Sequence, residues 1–221
     1  ARLRRVLTRA EVQPGTWYFD YAADRIWMGD NPVGRLVETS VSRWAFHGSS
    51  DNVRIEGFAM LQYAPPGRQG TVNPRVGRAG AAGINWQVVG NTILTSHGWA
   101  VKIEDGIVIS DNTMNWNGQG GIGGVGDDIV VEHNTIKFSC ATGFKCFGFE
   151  GGALKIDSDG FYLGYNVIES NWGHGLHPDI TSSGGEIVGN VVVNNEGVGI
   201  HYETSTDVVI SANTVTGNGF R

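Results

Sequence analysis

Short apolar runs that alternate with polar residues, each closed by Gly, Asn or Asp, recur along the chain. The segments Gln87-Val88-Val89-Gly90-Asn91-Thr92-Ile93, Ile107-Val108-Ile109-Ser110-Asp111-Asn112-Thr113-Met114 and Ile129-Val130-Val131-Glu132-His133-Asn134-Thr135-Ile136 superimpose, as do the segments around Asn166, Asn190 and Asn213. Runs this short with period two, bounded by turn formers, predict strands, and helix signals are nearly absent. The anchoring Asn residues are spaced by 21, 22, 32, 24 and 23 residues. The unit is therefore about 22 residues, with an insertion of about ten in one copy. Such a period predicts stacked coils, each too small to bury an apolar face alone.

Five residues after these Asn comes a second polar column: Asn117, Ser139, Asn171, Asn195 and Asn218. Two Asn columns in register predict ladders, each carboxamide closing its own bend and bonding the next coil. A further strand per coil follows, in Gly98-Trp99-Ala100-Val101-Lys102-Ile103-Glu104, Gly120 to Gly126, Gly151-Gly152-Ala153-Leu154-Lys155-Ile156-Asp157, Gly173-His174-Gly175-Leu176-His177-Pro178-Asp179 and Gly197-Val198-Gly199-Ile200-His201-Tyr202-Glu203. Alternation sends Val101, Ile122, Leu154, Leu176 and Ile200 inward and their neighbours to solvent. The expected fold is all-β, a right-handed parallel β-helix (solenoid) forming a single domain over 1–221. Residues 1–50 read as a less regular opening segment and 51–221 as regular coils, with the inserted loop at about 138–152. The chain opens without an obvious capping element and stops at Phe220-Arg221; since solenoids need capped ends, an excerpt of a longer protein is expected.

The outward face of this last strand carries the candidate chemistry. One column reads Lys102, Gly123, Lys155, His177, His201, and the column two residues on reads Glu104, Val125, Asp157, Asp179, Glu203. Neighbouring coils are about 4.8 Å apart, so the last three present a basic row beside an acidic one. Stacked like charges destabilise a sheet and call for a use, although alternating basic partners also permit a structural salt-bridge lattice. In retaining glycoside hydrolysis the nucleophile and the acid/base stand about 5–5.5 Å apart, close to one coil rise. Asp179 and Glu203 fit by register, and their repulsion is expected to raise one pKa and leave the other group ionised. Asp157 is placed to bind a sugar hydroxyl or tune the pair.

Composition narrows the partners. A net charge of −6 argues against nucleic acid, and the basic cluster Arg2, Arg4, Arg5 and Arg9 reads as a solvated end. No apolar run approaches the roughly 20 residues of a membrane span, and no signal-peptide core is present. Thirty-four Gly against six Pro describe a chain that turns often, without the three-residue period of collagen. Cys140 and Cys146 allow a small-loop disulfide in an oxidising compartment and are too few for structural zinc. A secreted or cell-surface monomer is expected.

At Gly173-His174-Gly175-Leu176-His177-Pro178-Asp179, followed by an Asn-rich turn and Gly199-Ile200-His201-Tyr202-Glu203, the chain resembles the β-helix β-xylosidases. That resemblance implies Asp179 as nucleophile and Glu203 as acid/base. His177 stands where that family often carries Trp, and Pro178 cannot donate to the ladder. More broadly, Gly98 to Gly219 is similar to bacterial right-handed parallel β-helix repeat proteins of the pectate-lyase-like group. The opening, Gly15-Thr16-Trp17-Tyr18-Phe19-Asp20 through Arg25-Ile26-Trp27 to Val37-Glu38, resembles the first segment of several β-helix carbohydrate enzymes. Around the pair, Lys155, His177, His201, Glu150 and the aromatics Trp99, Trp172 and Tyr202 are candidates for substrate binding, with the loop Cys140 to Gly152 expected to wall the face.

Rival functions remain open on the sequence. A polysaccharide lyase acting on uronate polymers could take its base from Lys102 or Lys155 and neutralise the uronate with Ca²⁺ held by Asp157, Asp179 and Glu203. Arginine is scarce after Arg78, returning only at Arg221, which disfavours an Arg-assisted version. A metal site from His177, His201, Asp179 and Glu203 has suitable ligand types, but parallel strands are expected to splay them in rows, so neither metal nor cofactor is assigned. His47, His97 and His133 are expected to satisfy turns. The third class is a non-catalytic carbohydrate-binding or adhesion solenoid. In every case the expected partner is a plant or microbial polysaccharide or oligosaccharide.

Overall fold

The computed structural model describes residues 3–76, 80–140, 151–180 and 182–219. The chain forms two compact units, Ala1–Thr39 and Ser40–Arg221. In the first, Thr16–Asp20 pairs antiparallel with Arg25–Met28 and parallel with Arg4–Arg5. The Arg9 guanidinium lies 3.6 Å from the centre of the Trp27 ring.

The second unit is a parallel β-helix of three sheets with six, seven and seven strands. In the first sheet Phe46–His47, Gly70–Asn73, Trp99–Ile103, Gly120–Val125, Gly152–Asp157 and His174–Pro178 stack in chain order. The second sheet runs from Arg54–Glu56 to Val208–Ser211 and the third from Ala59–Leu61 to Thr214–Thr216. Each coil contributes one strand per sheet, except that the last adds only an isolated bridge to the first sheet, and registers match residue for residue: Val108 pairs with Val130, Thr113 with Thr135 and Lys102 with Gly123. The inward columns Val88, Ile109, Val131, Leu163, Ile187 and Ile93, Met114, Ile136, Ile168, Val192 are fully buried. Each such side chain contributes about 1.5–3 kcal/mol through burial.

Every coil turns three corners, and each corner uses a left-handed residue. From the first sheet to the second the column is Asn52, Asn85, Gly106, Asp128, Gly160, Gly184, Asp207. From the second to the third it includes Gly90, Asp111, His133, Tyr165 and Gly189, and from the third back to the first Thr95, Trp116, Phe138, Ser170 and Asn194. A side chain larger than Gly costs about 1–2 kcal/mol in this conformation. At two of the three corners the carboxamide ladders enforce it. The amide N–H of Asn112 donates to Asn134 Oδ1 at 3.0 Å, that of Asn134 to Asn166 at 3.0 Å and that of Asn166 to Asn190 at 2.9 Å. In the second ladder Ser139, Asn171 and Asn195 donate in the same way to the Asn of the next coil, and Ser96, five residues after Asn91, donates to Asn117. Both ladders expected from the sequence are present. Of the isolated histidines, His97 meets the Pro65 carbonyl at 3.1 Å and His133 stacks on Tyr165.

In the first sheet simple alternation fails at one point per coil. Ala100 and Val101 both belong to the core, as do Ala153 and Leu154. The equivalent Gly121 also faces inward, because a Cβ placed on it would lie 2.6 Å from Ile136 Cγ2. On Gly175 a Cβ would lie 2.6 Å from Val192 Cγ1. Two successive inward residues mean that the residue before them, like the residue after them, faces outward. The expectation that both neighbours of Val101, Ile122, Leu154 and Leu176 point to solvent is corrected accordingly. Gly121→Val is expected to destabilise by about 1–3 kcal/mol through overpacking against Ile136, measured by chemical denaturation. An unchanged midpoint would show that this column has room to spare.

Candidate functional site

The strand His174–Pro178 is the last regular one of the first sheet, and the next coil runs beside it through the Leu176 to Ile200 bridge. The amides of His201 and Glu203 still donate to Leu176 and Pro178, at 2.8 and 3.2 Å. Pro178 has no N–H to return, so the ladder stops there. Beyond that point the acids are free to lean across coils.

Charges pair diagonally here. Lys155 Nζ lies 2.9 Å from Asp179 Oδ2, and His177 Nε2 lies 3.0 Å from Glu203 Oε2, one coil up in each case. His177 Nε2 is also 3.8 Å from Asp179 Oδ1. The acids thus have different main partners but share one imidazole between them. Donor atoms of His177, Asp179 and Glu203 all lie within 4.8 Å of one another. Asp179 and Glu203 therefore sit on one face at a spacing that fits the retaining geometry and falls below the roughly 6.5–9.5 Å of inverting enzymes. The side chains of His177, Asp179 and Glu203 are 6%, 15% and 44% exposed. Access is from the Glu203 side.

A third imidazole joins this face. His174, His177 and His201 lie with ring centres 5.1, 4.8 and 4.5 Å apart. Strict alternation puts His174 inward, opposite His177. The two inward residues Gly175 and Leu176 bring it back outward, and sequence reasoning missed it for that reason. The same break explains Trp99. Its indole occupies the space where a Gly123 side chain would stand, with a Cβ there 2.3 Å from Trp99 Cε2. At 4% exposed, Trp99 is packing and offers no ring face to a sugar. Tyr202 likewise packs against the core, its hydroxyl 2.9 and 2.6 Å from the carbonyls of Ser182 and Thr206. Trp172 sits at a corner, its ring 6.1 Å from Trp116, which stacks on Phe138 at 4.5 Å. Asp157 stands half-buried in the acidic column, in register with Val125. Glu150 and most of the inserted loop lie outside the described residues. So does Cys146; Cys140 is disulfide-bonded.

The lower end of the charged rows has a structural use. Lys102 and Glu104 pair with each other, and Arg75 pairs with Glu104, which is itself buried. Burial holds the Lys102 ammonium below its ordinary pKa, against the pull of Glu104. This rung is a salt-bridge lattice, as the alternative reading of the rows anticipated. A shallow depression on the second sheet, lined by Asp128, Phe161, Tyr162 and Glu186 among others, includes none of the cluster residues.

Electrostatics separate the roles in the cluster. Burial alone would raise the Asp179 pKa, but the Lys155 hydrogen bond, the Ile180 amide and the Lys155 charge hold it below the ordinary value. Asp179 is thus an ionised carboxylate, its lysine and the Ile180 amide together outweighing burial. Burial, followed by the Lys155 charge, depresses His177 from 6.5 to about 4 against the opposing Glu203 hydrogen bond. His174 is lowered too, first by burial, then by His201 and Lys155. Both imidazoles are neutral at pH 7. A histidine whose folded pKa lies below its unfolded value takes up its proton first in the unfolded chain, so stability is lost as pH falls from about 6.5 towards 4. For one proton the slope is at most about 1.4 kcal/mol per pH unit. Denaturation midpoints at several pH values are expected to show this decline, and His177→Gln to flatten it. Identical profiles for the two proteins would remove the assignment.

The expected splaying of metal ligands into rows is not what the structure contains: His177, Asp179 and Glu203 converge because the diagonal pairing beyond Pro178 draws them together. Among the described residues no helix is long and apolar enough to cross a membrane. No curated protein and no solved structure matches the chain. The family described as right handed beta helix region matches residues 79–221, which hold most of the coils and the cluster, and the chain belongs to that family.

Proposed function

We propose that this protein is a carbohydrate-active β-helix that cleaves a polysaccharide or oligosaccharide by retaining glycoside hydrolysis, with Asp179 as nucleophile and Glu203 as acid/base. The observation that carries this is the approach of the two carboxylates on one face of consecutive coils, within 4.8 Å. Asp179, ionised beside Lys155, attacks the anomeric carbon. Glu203, the more exposed of the two, gives its proton to the leaving oxygen and then takes one from the water that releases the sugar. His177, neutral and touching both acids, positions them. The Cys140 disulfide supports an oxidising, extracytoplasmic setting.

Turnover of a panel of aryl glycosides, with the anomeric configuration of the first-formed product read by NMR, tests the proposal. Retention is expected. An inverted product, or no turnover on any member, would overturn it. One observation favours a second reading, a non-catalytic sugar-binding solenoid: each acid already has a basic partner, as in a stabilising lattice. Sugar binding without turnover would select it. The lyase is weakened because Lys102 and Lys155, its candidate bases, are both held in ion pairs. An unsaturated product, lost on adding chelator, would restore it.

A further inference from the structure

We propose that His177, Asp179 and Glu203 form a binding site for a divalent transition metal, Zn²⁺ in preference to Ca²⁺ or Mg²⁺, and that metal and glycoside compete for it. The inference goes beyond the hydrolase reading and does not require it. One imidazole nitrogen and two carboxylate oxygens within 4.8 Å are a mixed donor set. Imidazole selects Zn²⁺ and its neighbours in the transition series over the oxygen-seeking Ca²⁺ and Mg²⁺. Tetrahedral zinc with bonds of about 2.0 Å sets its donors about 3.3 Å apart. The 3.0 and 3.8 Å distances from His177 Nε2 to Glu203 and Asp179 straddle that value.

The surroundings suit a ligand role for each group. Asp179 spends Oδ2 on Lys155 and turns Oδ1 towards His177, so the lysine orients the ligating carboxylate from outside. His177 is buried, and its Nε2 faces both carboxylates. In the metal-bound ring the proton sits on Nδ1 and the Nε2 lone pair takes the metal. Glu203, at 44% exposed, leaves one side open to water. His174 is not a ligand: its Nδ1 accepts the Val198 N–H at 3.0 Å, which keeps the proton of the neutral ring on Nε2. His201 packs beside His177, their ring centres 4.5 Å apart, and it is not counted among the ligands. Three protein ligands with one position open to water are the donor set of a zinc site, and both proposed hydrolytic carboxylates are consumed in making it.

Tag-free, chelator-treated protein is titrated with Zn²⁺ by calorimetry and with Co²⁺ by visible ligand-field absorption, with Ca²⁺ and Mg²⁺ as counter-titrants. One Zn²⁺ or Co²⁺ per chain is expected, with neither counter-titrant displacing it at equal concentration. His177→Gln and Glu203→Gln are expected to weaken binding by at least about 100-fold, the upper end of what losing an outer partner costs. His174→Ala is expected to leave it unchanged. Circular dichroism identifies any variant that fails to fold, and Asp179→Asn then replaces it. Absence of Co²⁺ bands, binding that survives His177→Gln, or equal affinity for Ca²⁺ would overturn the site. If the parent turns over a glycoside, Zn²⁺ is expected to stop it and chelator to restore it. Turnover undiminished at saturating Zn²⁺ would overturn the competition. An inactive parent that still binds Co²⁺ with the expected variant pattern fails the hydrolase proposal and leaves the metal site standing.

Discussion

Asn134→Ala is expected to cost about 3–5 kcal/mol, a large fraction of the stability of most domains. Asn134 Nδ2 donates to the carbonyls of Ile109 and Glu132, both at 2.8 Å, and to Asn166 Oδ1 at 3.0 Å. Its Oδ1 accepts the backbone and side-chain amides of Asn112, at 3.0 and 2.9 Å. All of these bonds but the one to Glu132, which is half-buried, are buried. Truncation leaves the Asn112 N–H without a partner, strips two carbonyls of a donor and opens a cavity. Each buried group left unsatisfied costs about 1–3 kcal/mol. Asn115 is the control: among the described residues its Oδ1 accepts the Lys137 amide alone, at 3.0 Å, in a half-buried place outside the ladders. Asn115→Ala is expected to cost about 1 kcal/mol. Equal effects for the two substitutions in urea denaturation would mean that the ladder adds nothing beyond ordinary turn hydrogen bonds.

Glu203→Gln is expected to lower kcat on substrates with poor leaving groups by about 10²–10⁴-fold, the usual contribution of a general acid. On aryl glycosides with good leaving groups the loss should be smaller, because the departing oxygen needs little protonation. Asp179→Asn removes the attacking atom, and its loss should be at least as large whatever the leaving group. Small anions separate the roles further. Added azide should rescue a Glu203→Ala variant with retention, and an Asp179→Ala variant with inversion. The opposite pairing would exchange the assignments, and the absence of any rescue would deny both residues a direct part. Circular dichroism of each variant guards against misfolding, since both acids also hold ion pairs.

The coil length, both carboxamide ladders and the register of Asp179 against Glu203 were legible in the chain because each repeats with the same period as the backbone. What escaped depended on contacts between segments that share no period. Gly121 and Gly175 face inward beneath Ile136 and Val192, side chains of another sheet, and nothing local marks the resulting break in alternation. Trp99 therefore looked available when it was packed, and His174 went unnoticed beside His177. Arg75, which pairs with Glu104, belongs to a stretch with no place in the repeat. Repulsion between Asp179 and Glu203 was overweighted because the reach of Lys155 across to the next coil is a matter of side-chain direction, which register alone does not give.

The ladders also have a direction. At each rung the corner amide of one coil donates to the carboxamide of the coil that follows it in sequence, never the one before. A coil's carboxamide bonds its own bend, as Asn134 Nδ2 does to the Glu132 carbonyl, but its corner N–H finds its acceptor only on the coil that follows. The stack is therefore polar: each coil supplies the last acceptor to the corner before it and takes its own from the coil after it.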